Sequence, residues 1–148
     1  MPKVTYDAIK GLVQKSGSGI ELEGDIALTG GLTATGALSV TGAATLSAAL
    51  IGSVDTRAEA GAVSLTKLTT LVTVTGGADR AITLAAGTAG QIKIIILTSK
   101  GGAGNAVLTP SVLEGGTTIT FDAAGDAVVL VYTGAKWAVV SNIAAAIA

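Results

Sequence analysis

Two short stretches of the sequence carry residues that could bind a phosphate or a metal ion. The first, KGGAGN at residues 100–105, has the lysine and closely spaced glycines of a phosphate loop but lacks the GxxxxGK[ST] order and a following helix pattern. We therefore interpret it as a hairpin turn. The second places Asp122 and Asp126 near Gly125, but a calcium loop needs more oxygen ligands at regular offsets. We interpret these carboxylates as turn residues that bond the local backbone.

Two residue types on which many enzymes depend are missing from the chain. It has no histidine, the commonest general base and transition-metal ligand, and no cysteine, so disulfides and thiolate sites are excluded. The 10 acidic residues are spread along the sequence and do not suggest the clustered carboxylates of glycoside hydrolysis. We predict that the protein is not an enzyme, uses no cofactor and holds no metal ion.

Charge and hydropathy limit the possible partners. Lys and Arg total 9 and Asp and Glu total 10, without a basic patch, so we predict no binding to nucleic acid. The mean hydropathy of +0.69 is high. The most apolar stretches, residues 92–97 and 127–132, are nevertheless far shorter than the roughly 18 residues of a membrane-spanning helix. We predict a soluble protein without membrane contact, whose excess apolar surface is covered by sister subunits.

A six-residue repeat over residues 18–53 organises the chain. Glycine recurs at Gly24, Gly30, Gly36 and Gly42, and the third and fifth places of most hexads are Leu, Ile, Val or Ala. Apolar residues two positions apart lie on one face of an extended strand, and glycine between the units permits a turn. The repeat predicts a shaft of very short strands with a corner at every hexad, as in a β-helix or β-prism.

One chain has too few hexads to bury a core. A left-handed hexapeptide β-helix uses about three hexads per coil, so this run would make only about two coils with open strand edges. Copies lying side by side could share one apolar axis, and we predict a homotrimer. Separate left-handed coils and a Gly/Ala-rich linker remain alternatives. The predicted trimer core comprises Ile20, Leu22, Ile26, Leu28, Leu32, Leu38, Val40, Leu46 and Leu50.

Residues 1–17 form a separate N-terminal arm. Apolar residues recur at three-to-four spacing over residues 3–16, which predicts a short amphipathic helix, although Gly11 in its middle makes that helix marginal. A frayed terminal arm is the alternative. We interpret the segment as an anchor that becomes ordered on a larger partner. The candidate anchoring residues are Val4, Tyr6, Ile9, Leu12 and Val13.

The repeat ends before residues 54–69, which bring in Asp55, Arg57 and Glu59. We interpret this segment as a joint between the shaft and the following domain. It is predicted to contain a turn at residues 60–61 and a short strand at residues 62–65.

Residues 70–142 alternate between apolar and polar residues in longer segments separated by glycines. This pattern predicts an antiparallel, jelly-roll-like β-sandwich, followed by a tail at residues 143–148. Hairpins are predicted at residues 125–126 and 134–135 in a meander of the last three strands, and Pro110 predicts an edge strand. The predicted strands cover residues 71–76, 80–86, 91–99, 105–111, 117–123, 126–134 and 136–142. The predicted sandwich core comprises Ile94, Ile96, Phe121, Val129, Val131 and Trp137.

Two parts of the sequence are similar to bacteriophage virion proteins. Residues 36–53, GALSVTGAATLSAALIGS, resemble the repetitive shafts of phage head and tail fibres. Residues 90–140, which include QIKIIILTS and GGTTITFDAAGDAVVLVYTGAKWAVV, resemble a β-sandwich found on phage virion proteins, including capsid decoration proteins. Hexapeptide acyltransferases also form trimeric β-helices, but they rely on a histidine base that this chain lacks.

The resemblance implies a homotrimer without catalytic activity, made in the host cytoplasm and exposed on the particle surface. Its partner would be the major capsid protein, which a decoration or cement protein binds to stabilise the shell. The short chain favours this role, because tail fibres are usually far longer. The alternative is a short tail-fibre or receptor-binding protein that contacts a host surface glycan.

Overall fold

The computed structural model describes residues 4–7, 11–14, 32–36 and 38–148. In these ranges the chain forms β-strands, turns and irregular segments and contains no helix, so the all-β prediction is confirmed. The described residues accordingly include no helix that is long and apolar enough to cross a membrane. One compact unit extends from Leu46 to Ala148 and contains ten of the strands.

The N-terminal arm forms two short strands, and the predicted helix is wrong. Strand β1 (Val4–Asp7) pairs antiparallel with β2 (Gly11–Gln14), with Val4 opposite Gln14. β-Branched residues such as Val4 and Val13 prefer extended backbone, whereas a glycine within a short helix costs about 1 kcal/mol. Local β propensity therefore outweighs the helical spacing of the apolar residues.

The remaining ten strands form two five-stranded sheets. The first sheet has the order β11-β10-β7-β5-β3, and the second has the order β12-β9-β8-β6-β4. The predicted joint contributes β3 and β4, and the predicted tail contributes β12, so all three belong to the sheets. The strands are β3 (Val54–Ala58), β4 (Gly61–Ala62), β5 (Thr69–Val74), β6 (Arg80–Leu84), β7 (Ile92–Lys100), β8 (Ala106–Pro110), β9 (Ile119–Phe121), β10 (Ala127–Tyr132), β11 (Trp137–Ile143) and β12 (Ala146–Ile147).

Strands β3 to β8 alternate between the two sheets, so the chain winds through both sheets three times. As a result β3, β5 and β7 pair in parallel in the first sheet, and β4, β6 and β8 pair in parallel in the second. Parallel neighbours require a crossover connection, which here is a strand of the opposite sheet. Strands β9 to β12 then add antiparallel pairs at one side of each sheet. The purely antiparallel topology predicted from sequence is therefore wrong, and both sheets are mixed.

The predicted meander of the last three strands is also wrong. Strand β9 pairs with β8 and β12 in the second sheet, whereas β10 pairs with β7 and β11 in the first. Residues 122–126 thus carry the chain between sheets, as do residues 101–105 between β7 and β8, and neither segment is a hairpin turn. Strands β10 and β11 do pair antiparallel across residues 133–136.

Pro110 does not mark an edge strand, because β8 lies in the middle of the second sheet. Its antiparallel neighbour β9 pairs only with residues 106–108 of β8, so at Pro110 the ladder continues on the β6 side alone, opposite Leu84. Proline lacks an N–H and is tolerated where that donor is not needed. The next donor, the Ser111 N–H, bonds the Leu84 carbonyl at 2.7 Å.

The two sheets share one hydrophobic core, to which both Phe121 and Trp137 contribute fully buried side chains. The other four predicted core residues need correction. They are half-buried and alternate with the residues that point inward, such as Ile95 and Leu130. The segments IKIIIL and AVVLVY are apolar at both parities, so alternation alone does not establish which face is inside. The four corrected residues are Ile94, Ile96, Val129 and Val131.

Candidate functional site

The Asp126 carboxylate organises a turn. Its Oδ2 accepts the N–H groups of Asp122 at 2.8 Å and Ala123 at 2.9 Å, while Gly125 takes a φ of 100° that favours glycine. Asp126 is buried, so its oxygen atoms serve the local backbone. No group of three or more His, Cys, Asp or Glu side chains that could hold a metal ion occurs in the described ranges.

The Lys100 ammonium group stabilises the loop at residues 100–105, whose composition is similar to that of a phosphate loop. Its Nζ donates to Asn105 Oδ1 at 2.9 Å and to the Asp122 carbonyl at 2.5 Å. A Cβ on Gly102 or Gly104 would collide with the backbone of residues 76–78, so glycine is required for two loops to pack together. The loop therefore holds the transition from β7 to β8 in place.

Sequence reasoning missed Lys93, whose side chain is fully buried on the inner face of β7. Its Nζ donates to the carbonyl groups of Ser64 at 2.8 Å and Lys67 at 2.6 Å. Burial lowers its pKa from the ordinary value, and the charge of Asp55 partly opposes that change. A lysine inside the apolar stretch IKIIIL was the available signal.

A buried lysine with a lowered pKa is a typical nucleophile candidate. The ammonium group of Lys93 donates hydrogen bonds to two carbonyl groups of the same loop, and the residue has 0% exposure. A substrate could not reach the nitrogen atom without opening that loop. The geometry therefore assigns Lys93 to holding residues 64–67 against the first sheet.

Two surface depressions in the described part of the chain present no charged side chain. The first, of about 570 Å³, is lined by Leu65, Thr66 and residues 86–91. The amide group of Gln91 within it is already used, accepting the Thr88 N–H at 3.0 Å and donating to the Leu65 carbonyl at 2.5 Å. The second, of about 310 Å³, is lined by residues 109–113, 116 and 117. Neither depression offers the convergent polar groups that orient a small ligand.

Trp137 is a core residue and presents no aromatic surface to a receptor. Its side chain is fully buried, and its Nε1 donates to the Ala85 carbonyl at 2.9 Å. The ring lies 5.1 Å from that of Tyr132, centroid to centroid, at an interplanar angle of 59°. This tilted pairing is the geometry that buried aromatic residues prefer.

The hexad residues that the structure describes carry large exposed aliphatic side chains. Exposure reaches 75% at Leu50 and 91% at Ile51. Residues 32–36 and 38–53 contain no strand, so the predicted shaft does not form there within one chain. Five predicted trimer-core residues share this exposure, whereas Ile20, Leu22, Ile26 and Leu28 lie outside the described residues. The five exposed residues are Leu32, Leu38, Val40, Leu46 and Leu50.

The structure describes four of the five predicted anchoring residues. Val4 and Tyr6 lie on β1, Leu12 and Val13 lie on β2, and Ile9 lies outside the described residues. The paired strands bring these four backbone positions together, with Tyr6 opposite Leu12. The arm is thus a hairpin, and whether it binds a partner stays a prediction.

No protein-family model matches the chain, and no curated protein or solved structure matches it either. The candidate site is therefore defined by this chain's own geometry. In the part of the chain that the structure describes, buried polar groups serve the fold, while aliphatic side chains of the hexads face outward. Such an exposed aliphatic surface can function by associating with another protein surface.

Proposed function

We propose that this protein is a non-enzymatic structural protein that acts as a homotrimer. The observation that supports the proposal is the exposure of aliphatic side chains in residues 32–36 and 38–51, such as Leu38 at 67% and Leu50 at 75%. Burying apolar surface contributes about 25 cal/mol per Å². A repeat that exposes Leu, Val and Ile therefore gains most by associating with copies of itself.

The role that best fits such an assembly is decoration of a bacteriophage head. In this proposal the N-terminal hairpin seats on the major capsid protein, and the hexads join three chains. The trimer binds the assembled shell and stabilises it by mass action, since it does not bind the free subunits. This mechanism needs contact area and no reactive group. The resemblance of residues 36–53 and 90–140 to phage virion proteins supports this role.

Light scattering on the purified chain tests the association. We expect the mass of three chains at micromolar concentration, and a smaller mass for Leu38→Lys, which would place like charges beside one another in the trimer. Ser39→Lys is the matched control, because it adds the same charge at the neighbouring polar position. A wild-type chain that remains a monomer would contradict the proposal.

Binding to purified phage heads tests the decoration role. We expect the full chain to bind heads, and a chain lacking residues 1–16 to remain trimeric but no longer bind. Binding that survives this deletion would exclude the arm as the anchor. Binding to host cells in place of heads would support the tail-fibre alternative and contradict the decoration role.

A further inference from the structure

The outward face of the first sheet carries a cluster of large aliphatic side chains, with hydroxyl residues among them at Thr56, Thr69, Thr73 and Ser141. We define the aliphatic face as the residues of β3, β5, β7, β10 and β11 that point away from the core. In its centre Ile94 lies opposite Val129, and Ile96 lies opposite both Ala127 and Leu71. These side chains are half-buried by one another, and Ile92 at the end of β7 is 48% exposed.

None of the charged side chains on the first sheet belongs to the aliphatic face. On the edge strand β3, Asp55 and Arg57 pair with the inward-pointing Thr70 and Val72, while Val54 alternates with them on the outward side. Lys93 also points inward. Lys100 pairs with the buried Val74 and lies on the same side, so the outward face, where proteins usually place charged residues, carries none.

The outward face of the second sheet provides an internal comparison. Its outward residues are small or carry hydroxyl groups, as at Ala81, Thr83, Thr109 and Thr120, with a single large aliphatic side chain at Val107. This composition suits contact with water. Both outward faces carry hydroxyl groups, but only the first has a cluster of large aliphatic side chains, which indicates that the aliphatic face is covered.

We propose that the aliphatic face is an interface with further copies of this chain, which turn the same face to a common symmetry axis. The inference rests on the association of the hexads in the proposed function. The chain runs directly from the exposed Leu50 and Ile51 into Val54, the first residue of the face. The Thr69 N–H donates to the Ser53 carbonyl at 3.2 Å, which ties the last hexad to β5.

Chain continuity and symmetry together favour a second copy as the occupant. Hexads that associate hold their attached sheets at a high effective concentration, so a weak contact between sheets becomes populated. Residues close to a symmetry axis meet their own copies, so a charged residue there would meet like charge. A face without charged residues satisfies this condition.

The aliphatic face is too small to form a stable interface by itself, so its contact adds to the contact made by the hexads. Five strands about 4.8 Å apart, with three outward residues about 6.8 Å apart on each, give a footprint of about 500 Å². A stable interface buries about 800 Å² on each partner. The face thus supplies somewhat over half of what a stable interface requires, and the hexads must contribute the rest.

A matched pair of substitutions in the full chain tests the proposal. Val129→Lys adds a charge to the aliphatic face, whereas Val107→Lys adds it at a half-buried valine on the outward face of the second sheet. By light scattering across a dilution series, we expect Val129→Lys to dissociate at a concentration at least tenfold higher than the wild type. Val107→Lys should dissociate at the wild-type concentration. Dissociation of the two variants at the same concentration would overturn the inference.

Single cysteines provide a test that does not depend on tolerance of a buried charge, since the chain has no cysteine of its own. We expect a maleimide to label Val129→Cys at least tenfold more slowly than Val107→Cys in the native oligomer, and at the same rate in denaturant. Equal native rates in a trimeric chain would overturn this inference and leave the proposed function standing. A monomeric wild-type chain would overturn the proposed function and this inference together.

Discussion

At the scale of single residues, Lys93 shows how a charge is kept in an apolar layer. Burial disfavours its ammonium form, but two carbonyl groups accept hydrogen bonds from it and Asp55 contributes an opposite charge. Hydrogen bonds to charged groups are worth about 1.5–3 kcal/mol each. The two bonds offset part of the loss of solvation and attach residues 64–67 to the sheet.

We expect Lys93→Met to lower the free energy of unfolding by about 1–3 kcal/mol, because the carbonyl groups of Ser64 and Lys67 lose their donor. Urea denaturation followed by Trp137 fluorescence measures the change. Lys67→Met is the control, since the Lys67 side chain is exposed and should shift stability by less than about 0.5 kcal/mol. A Lys93→Met variant as stable as the wild type would contradict this account of the bonds.

Lys93 also predicts a pH dependence. Its pKa is lower in the folded chain than the ordinary 10.5, so above the folded pKa the unfolded chain binds more protons. Stability contributed by this group therefore rises as the pH increases from the folded pKa towards 10.5. We expect the wild type to gain stability relative to Lys93→Met over that interval, measured as the difference between their urea midpoints at each pH.

Glu59 predicts a response of the same sign, but at acidic pH. The Thr75 hydroxyl, the Thr75 N–H at 2.9 Å and the ion pair with Arg80 lower the pKa of its carboxyl group below 4.5, although desolvation opposes them. This stabilisation is complete above pH 4.5 and is lost as the pH falls through the folded pKa. We expect Glu59→Gln to lower Tm at neutral pH and to converge with the wild type in acid. Glu114→Gln, at an exposed ion pair with Lys136, should change Tm little at any pH.

At the scale of elements, the loops that cross between sheets determine the topology. The loop before β6 and the loop before β8 pack backbone to backbone, with Gly104 against Ala78 and Gly102 against Gly76. The Asn105 N–H donates to Asp79 Oδ1 at 2.8 Å and the Arg80 N–H donates to the Asn105 carbonyl at 2.7 Å. These contacts align β6 beside β8 in parallel, which a hairpin turn could not do.

We expect Gly104→Ala to destabilise the fold by about 1–3 kcal/mol, because its Cβ would overlap the backbone carbonyl of Ala78 and force the two loops apart. Gly77→Ala is the matched control in the adjoining loop, where an added Cβ meets nothing within 4 Å. It should be neutral or slightly stabilising. Thermal unfolding of both variants checks the difference, and equal Tm values would contradict the packing argument.

At the scale of the whole molecule, association and stability are linked. If copies bind through the hexads and bind only in the folded state, dilution must lower the apparent stability. This linkage distinguishes an assembled protein from a monomer that merely exposes apolar residues. The linkage can be measured on the purified chain, without a capsid or any other partner.

We expect the wild-type Tm to rise by about 2–4 °C for each tenfold increase in protein concentration. Leu46→Lys should remove this dependence, because it introduces a charge at a predicted trimer-core position that is 62% exposed in the single chain. Ser47→Lys should retain it, since the neighbouring residue is polar and exposed. Calorimetry over a range of concentrations provides the measurement, and a Tm independent of concentration in the wild type would contradict association.

Beyond the N-terminal arm, the sequence by itself indicated an all-β fold, because alternation and β-branched residues are local properties that need no tertiary context. It also located seven strands beyond residue 70 to within a few residues and indicated that Phe121 and Trp137 are buried. The exposed aliphatic residues of the hexads follow from the same local pattern.

Only the tertiary structure decided which strands are neighbours and which face is inside. Alternation has the same form in parallel and antiparallel strands, so the winding between sheets depends on contacts between loops such as those at Gly102 and Gly104. In the segment IKIIIL of β7 both parities are apolar except at Lys93, and this buried lysine depends on the hydrogen bonds that its ammonium group donates to residues 64–67. Those partners are distant in sequence, and their positions exist only once the two sheets have packed.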